Sequence, residues 1–519
     1  MRTLILALLL ACPLRPAHAG ALASSSAWSV TGSAGAYLGE SLAGVGDVTG
    51  SGYSDVLVGA YGAAGSLGAV YLFPGGPAGL ATGASWSLTG TALLGAGLGT
   101  VVAAAGDLNH DGYADFVVTS KGPVGTSGAA YLFLGGPSGP SAAPAWSATG
   151  AAGSGFAASV VSGAFSNSGY RDLAVASVAS GSVALYPGTA GGLSATAAWS
   201  ITAGANVVVG GGQDINHDGY DDLIVGAPSS GPNGQVWVFL GGPSGLPATP
   251  SWVLDGSAVG SLGSQFGSSV AGAGDVNGDG YADLLVGDQS SAGTVRLFLG
   301  GLGGPASTPA WTQSGPSAGA GFGVHLAGTG DLNADGYADV YIGANSGFAD
   351  VFTGGPGGLG SLPAWSASGP GAYGYVGAGA GDINGSGHSD LIVSAYQASG
   401  HEGEAYLYLG LPIQASPTAT GGGSGPATGS SRVYPSPVRG GTVHVALNLA
   451  SATDAHLRIY NEAGDLACSV DQPGLAAGPQ VLDVDASRFA RGAYFYVCTL
   501  VSPGGGTQVL PTGKFLVVH

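Results

Sequence analysis

The chain has 519 residues, of which 102 are glycine and only 8% are charged. Glycine is about three times as frequent as usual but follows no G-X-Y period, which excludes a collagen-like chain. With 45% apolar residues, the composition also excludes a highly charged disordered protein. The 30 acidic and 11 basic residues give a net charge of −19, and no basic run suits a phosphate backbone, so nucleic-acid binding is not expected.

Residues 1–19 are predicted to form a secretory signal peptide. Arg2 precedes an apolar run from Leu4 to Ala11, and Ala17–Ala19 offers a small-x-small cleavage site. The run is too short to span a bilayer, and no transmembrane segment is expected after its removal. A lipoprotein signal ending at Cys12 is the alternative. We therefore expect the protein to be secreted or held on a bacterial cell surface.

Residues 20–410 contain seven copies of one unit of roughly 55 residues. Each copy carries four short strand-like runs, separated by glycine-rich turns, without helical periodicity. Repeats of four strands at this period are typical of β-propeller blades. The predicted fold class is therefore all-β, a seven-bladed β-propeller followed by a small β-sandwich. We expect packing between blades from the tryptophans that begin the units: Trp28, Trp86, Trp146, Trp199, Trp252, Trp311 and Trp365.

A nine-residue acidic loop precedes a buried strand in each unit, and four loops read Asp-x-Asn-x-Asp-Gly-Tyr-x-Asp. Ca²⁺ takes six to eight oxygen ligands, which side chains at positions 1, 3, 5 and 9 and the carbonyl of position 7 provide. Asp-Gly pairs also form ordinary turns, but four identical carboxylate sets favour a metal. The predicted Ca²⁺ ligands are Asp107, Asn109, Asp111, Tyr113, Asp115, Asp214, Asn216, Asp218, Tyr220, Asp222, Asp275, Asn277, Asp279, Tyr281, Asp283, Asp331, Asn333, Asp335, Tyr337 and Asp339.

The other three loops have lost carboxylates. Unit one keeps Asp47 and Asp55, and unit seven keeps Asp382, Asn384 and Asp390, so weaker binding is predicted there. The loop of unit three, Ala164 to Asp172, is predicted to be empty. An EF-hand is excluded because position 12 is valine or isoleucine instead of a bidentate glutamate.

The residues around the loops resemble a known repeat. Phe266-Gly267 before a loop, Phe322-Gly323 before the next, and Gly226-Ala227-Pro228 after one resemble the FG-GAP repeat of integrin α-chain propellers and related bacterial proteins. The resemblance implies that the compact loop is a calcium site in this family.

Residues 411–431 form a Gly/Ser/Pro-rich segment that predicts a linker, and residues 432–519 alternate as strands of a β-sandwich. The motifs at 434–437, 459–464, 492–495 and 514–518 resemble the C-terminal sorting domain of type IX secretion cargo. The resemblance implies secretion machinery as a partner. An immunoglobulin-like accessory domain is the alternative. Cys468 and Cys498 fit either a disulfide or two buried thiols.

The repeat region offers few groups for catalysis. Between residues 28 and 410 the glutamates are Glu40, Glu402 and Glu404, and the single lysine is Lys121. We therefore predict a non-catalytic, calcium-stabilised binding or adhesion scaffold for an extracellular protein or glycan ligand. The alternative is an extracellular glycan-active enzyme, a lyase or hydrolase on a calcium-binding propeller. The predicted contact loops are Tyr61–Leu67, Pro228–Gly234 and Tyr396–Glu404.

Overall fold

The computed structural model describes residues 22–90, 95–122, 127–261 and 265–411, and the strands between 430 and 517 with a few adjoining residues. The predicted signal peptide, Cys12 and residues 412–429 of the predicted linker lie outside the described residues. Two compact units divide between Ser416 and Pro417, within the predicted linker. Among the described residues, no helix is long and apolar enough to cross a membrane.

The first unit is built from antiparallel sheets of four strands, which we call blades. The first strand of the chain, β1 (Trp28–Thr31), belongs to the last blade. Blades one and two, from the inner to the outer strand, are β2 (Leu38–Gly46), β3 (Asp55–Ala60), β4 (Ala69–Phe73), β5 (Trp86–Thr89), and β6 (Val102–Gly106), β7 (Asp115–Ser120), β8 (Ala129–Phe133), β9 (Trp146–Thr149). Blades three and four are β10 (Phe156–Gly163), β11 (Asp172–Ser177), β12 (Ser182–Tyr186), β15 (Trp199–Thr202), and β16 (Val208–Gln213), β17 (Asp222–Ala227), β18 (Gln235–Phe239), β19 (Trp252–Asp255). A two-stranded ribbon in blade three pairs β13 (Gly188–Thr189) with β14 (Gly192–Leu193).

The remaining blades complete the set of seven. Blades five and six are β20 (Phe266–Gly274), β21 (Asp283–Asp288), β22 (Thr294–Phe298), β23 (Trp311–Ser314), and β24 (Phe322–Gly330), β25 (Asp339–Ala344), β26 (Phe348–Phe352), β27 (Trp365–Ser368). Blade seven is β28 (Tyr373–Gly381), β29 (Asp390–Ala395), β30 (Glu404–Tyr408) and β1. Single helical turns span Ala63–Ser66, Gly256–Val259 and Ala398–His401.

The blades close into a ring. Each inner strand contacts the inner strands of both neighbouring blades, and β2 contacts β28. Blade seven takes its outer strand from the start of the chain, with Trp28 opposite Leu407 in the register of β1 and β30. The predicted seven-bladed all-β fold is therefore confirmed. A unit that begins at its tryptophan is offset by one strand from a blade, because each tryptophan strand completes the preceding blade.

The tryptophans pack between blades, as predicted. Trp199 in blade three meets Phe239 in blade four edge to face, with ring centroids 5.0 Å apart. Its indole Nε1 donates to the carbonyl of Pro247 at 2.8 Å, also in blade four. Similar edge-to-face pairs join Trp28 to Phe73, Trp146 to Tyr186, Trp311 to Phe352 and Trp365 to Tyr408.

The second strand of every blade is buried along its whole length. Such a strand lies in the middle of its sheet and is covered on both faces by neighbouring blades. This position explains why these strands are apolar at successive positions instead of alternating. Each of them nevertheless begins with an aspartate, which is position nine of the acidic loop.

That buried aspartate ties two turns of its blade together. In blade two, Asp115 Oδ2 accepts the N–H of Leu108 at 2.8 Å, and Oδ1 accepts the N–H of Gly135 at 2.9 Å. Asp172 in blade three keeps the glycine bond, to Gly188 at 2.9 Å. The full pair of bonds recurs at Asp55, Asp222, Asp283, Asp339 and Asp390. Because burying an unpaired carboxylate is costly, these bonds fix the two turns against each other.

The glycine that donates to this aspartate leaves no room for a side chain. A Cβ on Gly241 would lie 2.2 Å from the carbonyl oxygen of Asp221. The next residue, Gly242, donates its N–H to Phe165 of the preceding blade at 3.2 Å, and a Cβ there would meet nothing within 4 Å. The equivalents of Gly241 would each meet a carbonyl oxygen at 2.1 to 2.4 Å: Gly75, Gly135, Gly188, Gly300, Gly354 and Gly410.

The second unit contains two antiparallel sheets. One has the strands β31 (Ser430–Tyr434), β32 (Thr442–Leu449) and β35 (Gly478–Asp485). The other has β33 (Thr453–Asn461), β34 (Leu466–Leu475), β36 (Gly492–Val501), β37 (Thr507–Val509) and β38 (Gly513–Val517). A shared core joins their inner faces, with Val445 and Val484 from the first sheet and Leu457 from the second.

Both cysteines of the second unit are free thiols. Cys468 pairs with Ile459 and Cys498 with Leu457, so β33 lies between them. Two strand spacings are about 9.5 Å, which exceeds the Cα separation of a disulfide. Of the two alternatives from sequence, the structure therefore has unpaired thiols, and burial raises the pKa of Cys498 to about 11.

The two adjacent glycines of blade four provide a matched test of the turn. We expect Gly241→Ala to lower the free energy of unfolding by about 1–3 kcal/mol, because the new methyl group overlaps a backbone carbonyl. Gly242→Ala should change it by less than about 0.5 kcal/mol, since its methyl group meets open space. Denaturant unfolding of both variants measures the difference. Equal effects would show that the close approach is absent in solution.

Candidate functional site

The acidic loops connect the inner strand to the second strand, so all of them lie at the same end of the ring. At position one, an aspartate folds its loop by accepting two backbone N–H groups. Asp107 accepts from Asp111 at 3.0 Å and from Gly112 at 2.9 Å. Equivalent bonds form at Asp214, Asp275 and Asp331.

Positions three, five and seven are joined by a second group of bonds. In the loop of blade four, Asp218 Oδ1 accepts the N–H of Tyr220 and Oδ2 accepts the side-chain amide of Asn216, both at 3.0 Å. The same arrangement recurs in blades two, five and six. The asparagine and aspartate of each complete loop are therefore already side by side.

Position nine, which the sequence predicts to be a Ca²⁺ ligand, lies deeper in the blade than positions one and five. Its carboxylate is fully buried and bonded to backbone amides, whereas positions one and five lie nearer the surface. Within the described part of the chain, no three Asp, Glu, His or Cys side chains are grouped as they would be around a metal ion. Hydrogen bonds thus bring positions one, three and five together. The buried carboxylate of position nine holds the loop by accepting one of its backbone N–H groups.

The buried aspartates carry an unfavourable charge. Burial, the largest cause, raises the pKa of Asp222, Asp283 and Asp339 to about 7 and that of Asp115 to about 6. The backbone N–H bonds lower each value, and the loop's other two aspartates raise it further. A cation near the loop would favour the ionised form of all three carboxylates.

The donor set fits a hard cation, and one oxygen in it lacks a partner. Asn216 is only 7% exposed, and its Oδ1 accepts no hydrogen bond. A buried acceptor without a partner is costly unless something unseen satisfies it. Oxygen from carboxylate, amide and carbonyl groups is the ligand type that Ca²⁺ prefers.

The incomplete loops keep part of this geometry. Asp47 and Asp382 fold their loops with the same two backbone bonds, although serine replaces the aspartate at position five. In unit three, Ala164 and Ser168 replace the carboxylates at positions one and five. Burial raises the pKa of Asp172, and the hydrogen bonds from Gly188 and Ser166 lower it more than Arg171 does. Arg171 pairs with Asp221 of blade four at 3.4 Å.

The opposite end of the ring carries the predicted contact loops. Pro228–Gly234 borders a cavity of about 500 Å³ lined by polar residues that include Asn206 and Gln289. The loops at Tyr61 and Tyr396 lie with Tyr37, Glu40 and Lys121 in a cluster that the sequence did not indicate. The sequence does contain one sign of this cluster: the residue directly after the second strand is tyrosine in two units, after Ala60 and after Ala395, and a different residue in the other units.

Comparisons with known proteins match the repeat region. A model of the FG-GAP repeat matches residues 98–133 and 205–239, and a model of the FG-GAP-like repeat matches 275–342 and 331–393. Integrin alpha-IIb of Mus musculus is 38% identical over 147 residues, 25% of this chain and 14% of that protein. Integrin alpha-7 of Rattus norvegicus is 47% identical over 85 residues, 16% of this chain and 7% of that protein.

Integrin alpha-8 of Mus musculus is 35% identical over 161 residues, 27% of this chain and 14% of that protein. The matched stretches thus span a small part of these relatives. The stretches that match the repeat models lie in blades two, four, five, six and seven and contain the acidic loops of those blades. Residues 98–133, 205–239 and 275–393 of the chain therefore match FG-GAP-type repeats, and part of its propeller is similar to integrin α-chains.

Proposed function

We propose that the protein is a calcium-stabilised, non-catalytic binding scaffold that acts outside the cell or on a bacterial cell surface. The observation that carries this proposal is the division of the ring into two ends. One end has four complete oxygen-rich loops with an unpartnered buried oxygen at Asn216, and the other end has loops of irregular length. The similarity to integrin α-chains supports a role in binding or adhesion.

Calcium would be held by the side chains at positions one, three and five of each complete loop, with position nine adjusting its backbone bonds or supporting the loop. The ion would place a positive charge beside the ionised aspartates and so offset the cost of burying their negative charge. The chain itself folds each loop through the backbone bonds of position one, so the ligands are ordered before an ion arrives. Calcium then stabilises a preformed turn instead of creating it.

Export is part of the proposal. The predicted signal peptide would direct the chain out of the cytoplasm, and the C-terminal unit would engage secretion machinery, as its resemblance to type IX sorting domains implies. The two sheets of that unit support its independence from the ring, since they share a separate core.

A glycan-active enzyme remains the alternative function. Its chemistry would need a base near neutral pKa at the open end of the ring. Burial, chiefly, together with Glu40, raises the pKa of Tyr61 to about 12, so this phenol stays protonated at neutral pH. An assay for unsaturated products from acidic and neutral polysaccharides tests the alternative, and turnover that Tyr61→Phe abolishes would replace our proposal.

Removing calcium should destabilise the full chain. With a dissociation constant near 10⁻⁴ M, 1 mM Ca²⁺ contributes about 1.4 kcal/mol per site, or about 5–6 kcal/mol for four sites. We expect a chelator to lower the melting temperature, as measured by differential scanning calorimetry. An unchanged melting temperature would contradict the calcium proposal.

A matched pair of variants localises that effect. Asp218→Asn, at position five of a complete loop, should remove about a quarter of the calcium-dependent stabilisation, because one site loses a carboxylate ligand. Ser168→Asn places the same residue at position five of the loop in unit three and should leave the calcium-dependent shift unchanged. Equal losses in both variants would argue against ligands in the complete loop.

The calcium-free chain should lose stability as the pH rises. The folded pKa values of about 6 to 7 at the buried aspartates exceed the unfolded value of about 3.9, so between about pH 4 and 7 the folded state binds more protons. The melting temperature in chelator should therefore fall from pH 5 to pH 8. With calcium the fall should be smaller, because the ion stabilises the ionised carboxylates. A calcium-free melting temperature that rises over this range would contradict these pKa directions.

A further inference from the structure

Four tyrosines meet a lysine–glutamate pair at the end of the ring opposite the acidic loops. We propose that this tyrosine cluster, formed by Tyr37, Tyr61, Tyr375 and Tyr396 with Glu40 and Lys121, binds the face of an uncharged sugar ring. The inference rests on the proposed binding function and deepens it by naming a site and a ligand class.

The ring closure brings these residues together. Tyr61, Lys121 and Tyr396 each follow directly after the second strand of their blades, which are blades one, two and seven. This position is equivalent in all blades, and the three blades are neighbours because β2 contacts both β6 and β28. Glu40 and Tyr375 occupy equivalent places at the start of inner strands. Residues distant in sequence therefore share one surface.

The contacts within the cluster are close. The rings of Tyr37 and Tyr61 are 5.1 Å apart, and those of Tyr375 and Tyr396 are also 5.1 Å apart. Lys121 Nζ lies 4.4 Å from the centre of the Tyr61 ring and 3.7 Å from Glu40 Oε1. The tyrosines are half-buried, so each holds a fixed orientation and still offers surface to a ligand.

The backbone turn before the inner strand of blade one places the Tyr37 ring in the cluster. Tyr37 has φ +52, in the left-handed region that a bulky residue rarely adopts. The equivalent position has positive φ in five other blades, as glycine at Gly97, Gly155 and Gly321 and as another residue at Asn206 and Ala372, so this conformation belongs to the repeat. At Tyr37 this turn holds an aromatic ring in tilted contact with the rings of Tyr61 and, at 4.9 Å, of His401.

The charges favour a neutral ligand. Lys121 already occupies the place over Tyr61 that a ligand cation would take, and it pairs with Glu40. An anionic ligand would face Glu40 and a chain of net charge −19. What remains for a ligand are phenol faces and fixed polar groups. A sugar ring complements them, because it has apolar C–H faces and a rim of hydroxyl groups.

A protein partner fits this surface less well. Stable protein interfaces bury about 800 Å² on each side around an apolar centre. Among the described residues, Leu67 is the one large aliphatic side chain near the cluster that is substantially exposed, at 38%. The cluster is compact and polar at its edges, which suits a short saccharide.

The full chain, saturated with calcium, provides the test. Cello-, laminari-, manno- and xylo-oligosaccharides serve as neutral probes, with oligogalacturonate as the acidic comparison, and titration calorimetry measures binding. Tyr37→Gly restores the residue found in other blades and removes the ring without adding strain. Tyr61→Ala removes the partner ring, and Tyr170→Ala, at the opposite end of the ring, is the control.

We expect at least one neutral probe to bind, and both Tyr37→Gly and Tyr61→Ala to weaken it tenfold or more. Tyr170→Ala should leave the affinity unchanged, and Tyr37→Gly should keep or raise the melting temperature. A neutral probe that binds all variants equally would overturn the site while leaving the binding function intact. Binding of the acidic probe or a protein alone would overturn the ligand class, and binding of no neutral probe would overturn the inference. The effect of calcium on the melting temperature is measured separately. An absent effect would contradict the proposed calcium-stabilised scaffold but not the sugar site.

Discussion

A buried aspartate holds the turns at one end of every blade. In six blades two backbone N–H groups reach its carboxylate, one from the acidic loop and one from the glycine turn between the third and fourth strands, and blade three retains the bond from the glycine turn. The adjoining glycine turn then reaches the preceding blade, as Gly242 does to Phe165. The carboxylate therefore sets the spacing within a blade and, through the glycine pair, the spacing between blades. The ring depends on this contact even in blade three, where the loop has lost its other carboxylates.

The acidic loops are built on this support. The aspartate at position one folds the loop with backbone bonds in the complete loops and also in those that begin at Asp47 and Asp382. Loop shape thus survives the loss of position five, while the oxygen set does not. This separation explains how a repeat can lose its carboxylates without losing its fold. In unit three, the buried Asp172 keeps its bond to Gly188, while Arg171 pairs with Asp221 of the next blade.

Much of the fold could be predicted from the sequence, because the repeat places strands, turns and tryptophans at regular intervals. The second strands could be located from their apolar runs, and the tryptophan contacts from their position in each unit. The offset between unit and blade could not be predicted, since the sequence pattern is the same whether a tryptophan strand begins one blade or completes the blade before it. The sequence also could not show that the Asp115 carboxylate accepts backbone N–H groups, because the spacing of aspartates in a loop is the same whether they bind a metal ion or a backbone amide. The tyrosine cluster was missed because the pair Tyr37–Tyr61 belongs to blade one and the pair Tyr375–Tyr396 to blade seven, which become neighbours only when the ring closes.

The pairing of Trp28 with Leu407 has a consequence for the timing of folding. Blade seven has three of its strands near the end of the repeat array, whereas its fourth strand, β1, lies before the first blade. Blades one to six can form as the chain is made, because each takes its four strands from one continuous stretch. The pairing of β1 with β30 instead joins segments that are almost 400 residues apart, roughly the whole repeat array, and contacts so distant in sequence form slowly. A nascent chain is therefore an open arc until residues 404–408 emerge, and the early strand β1 must stay free of wrong partners until then.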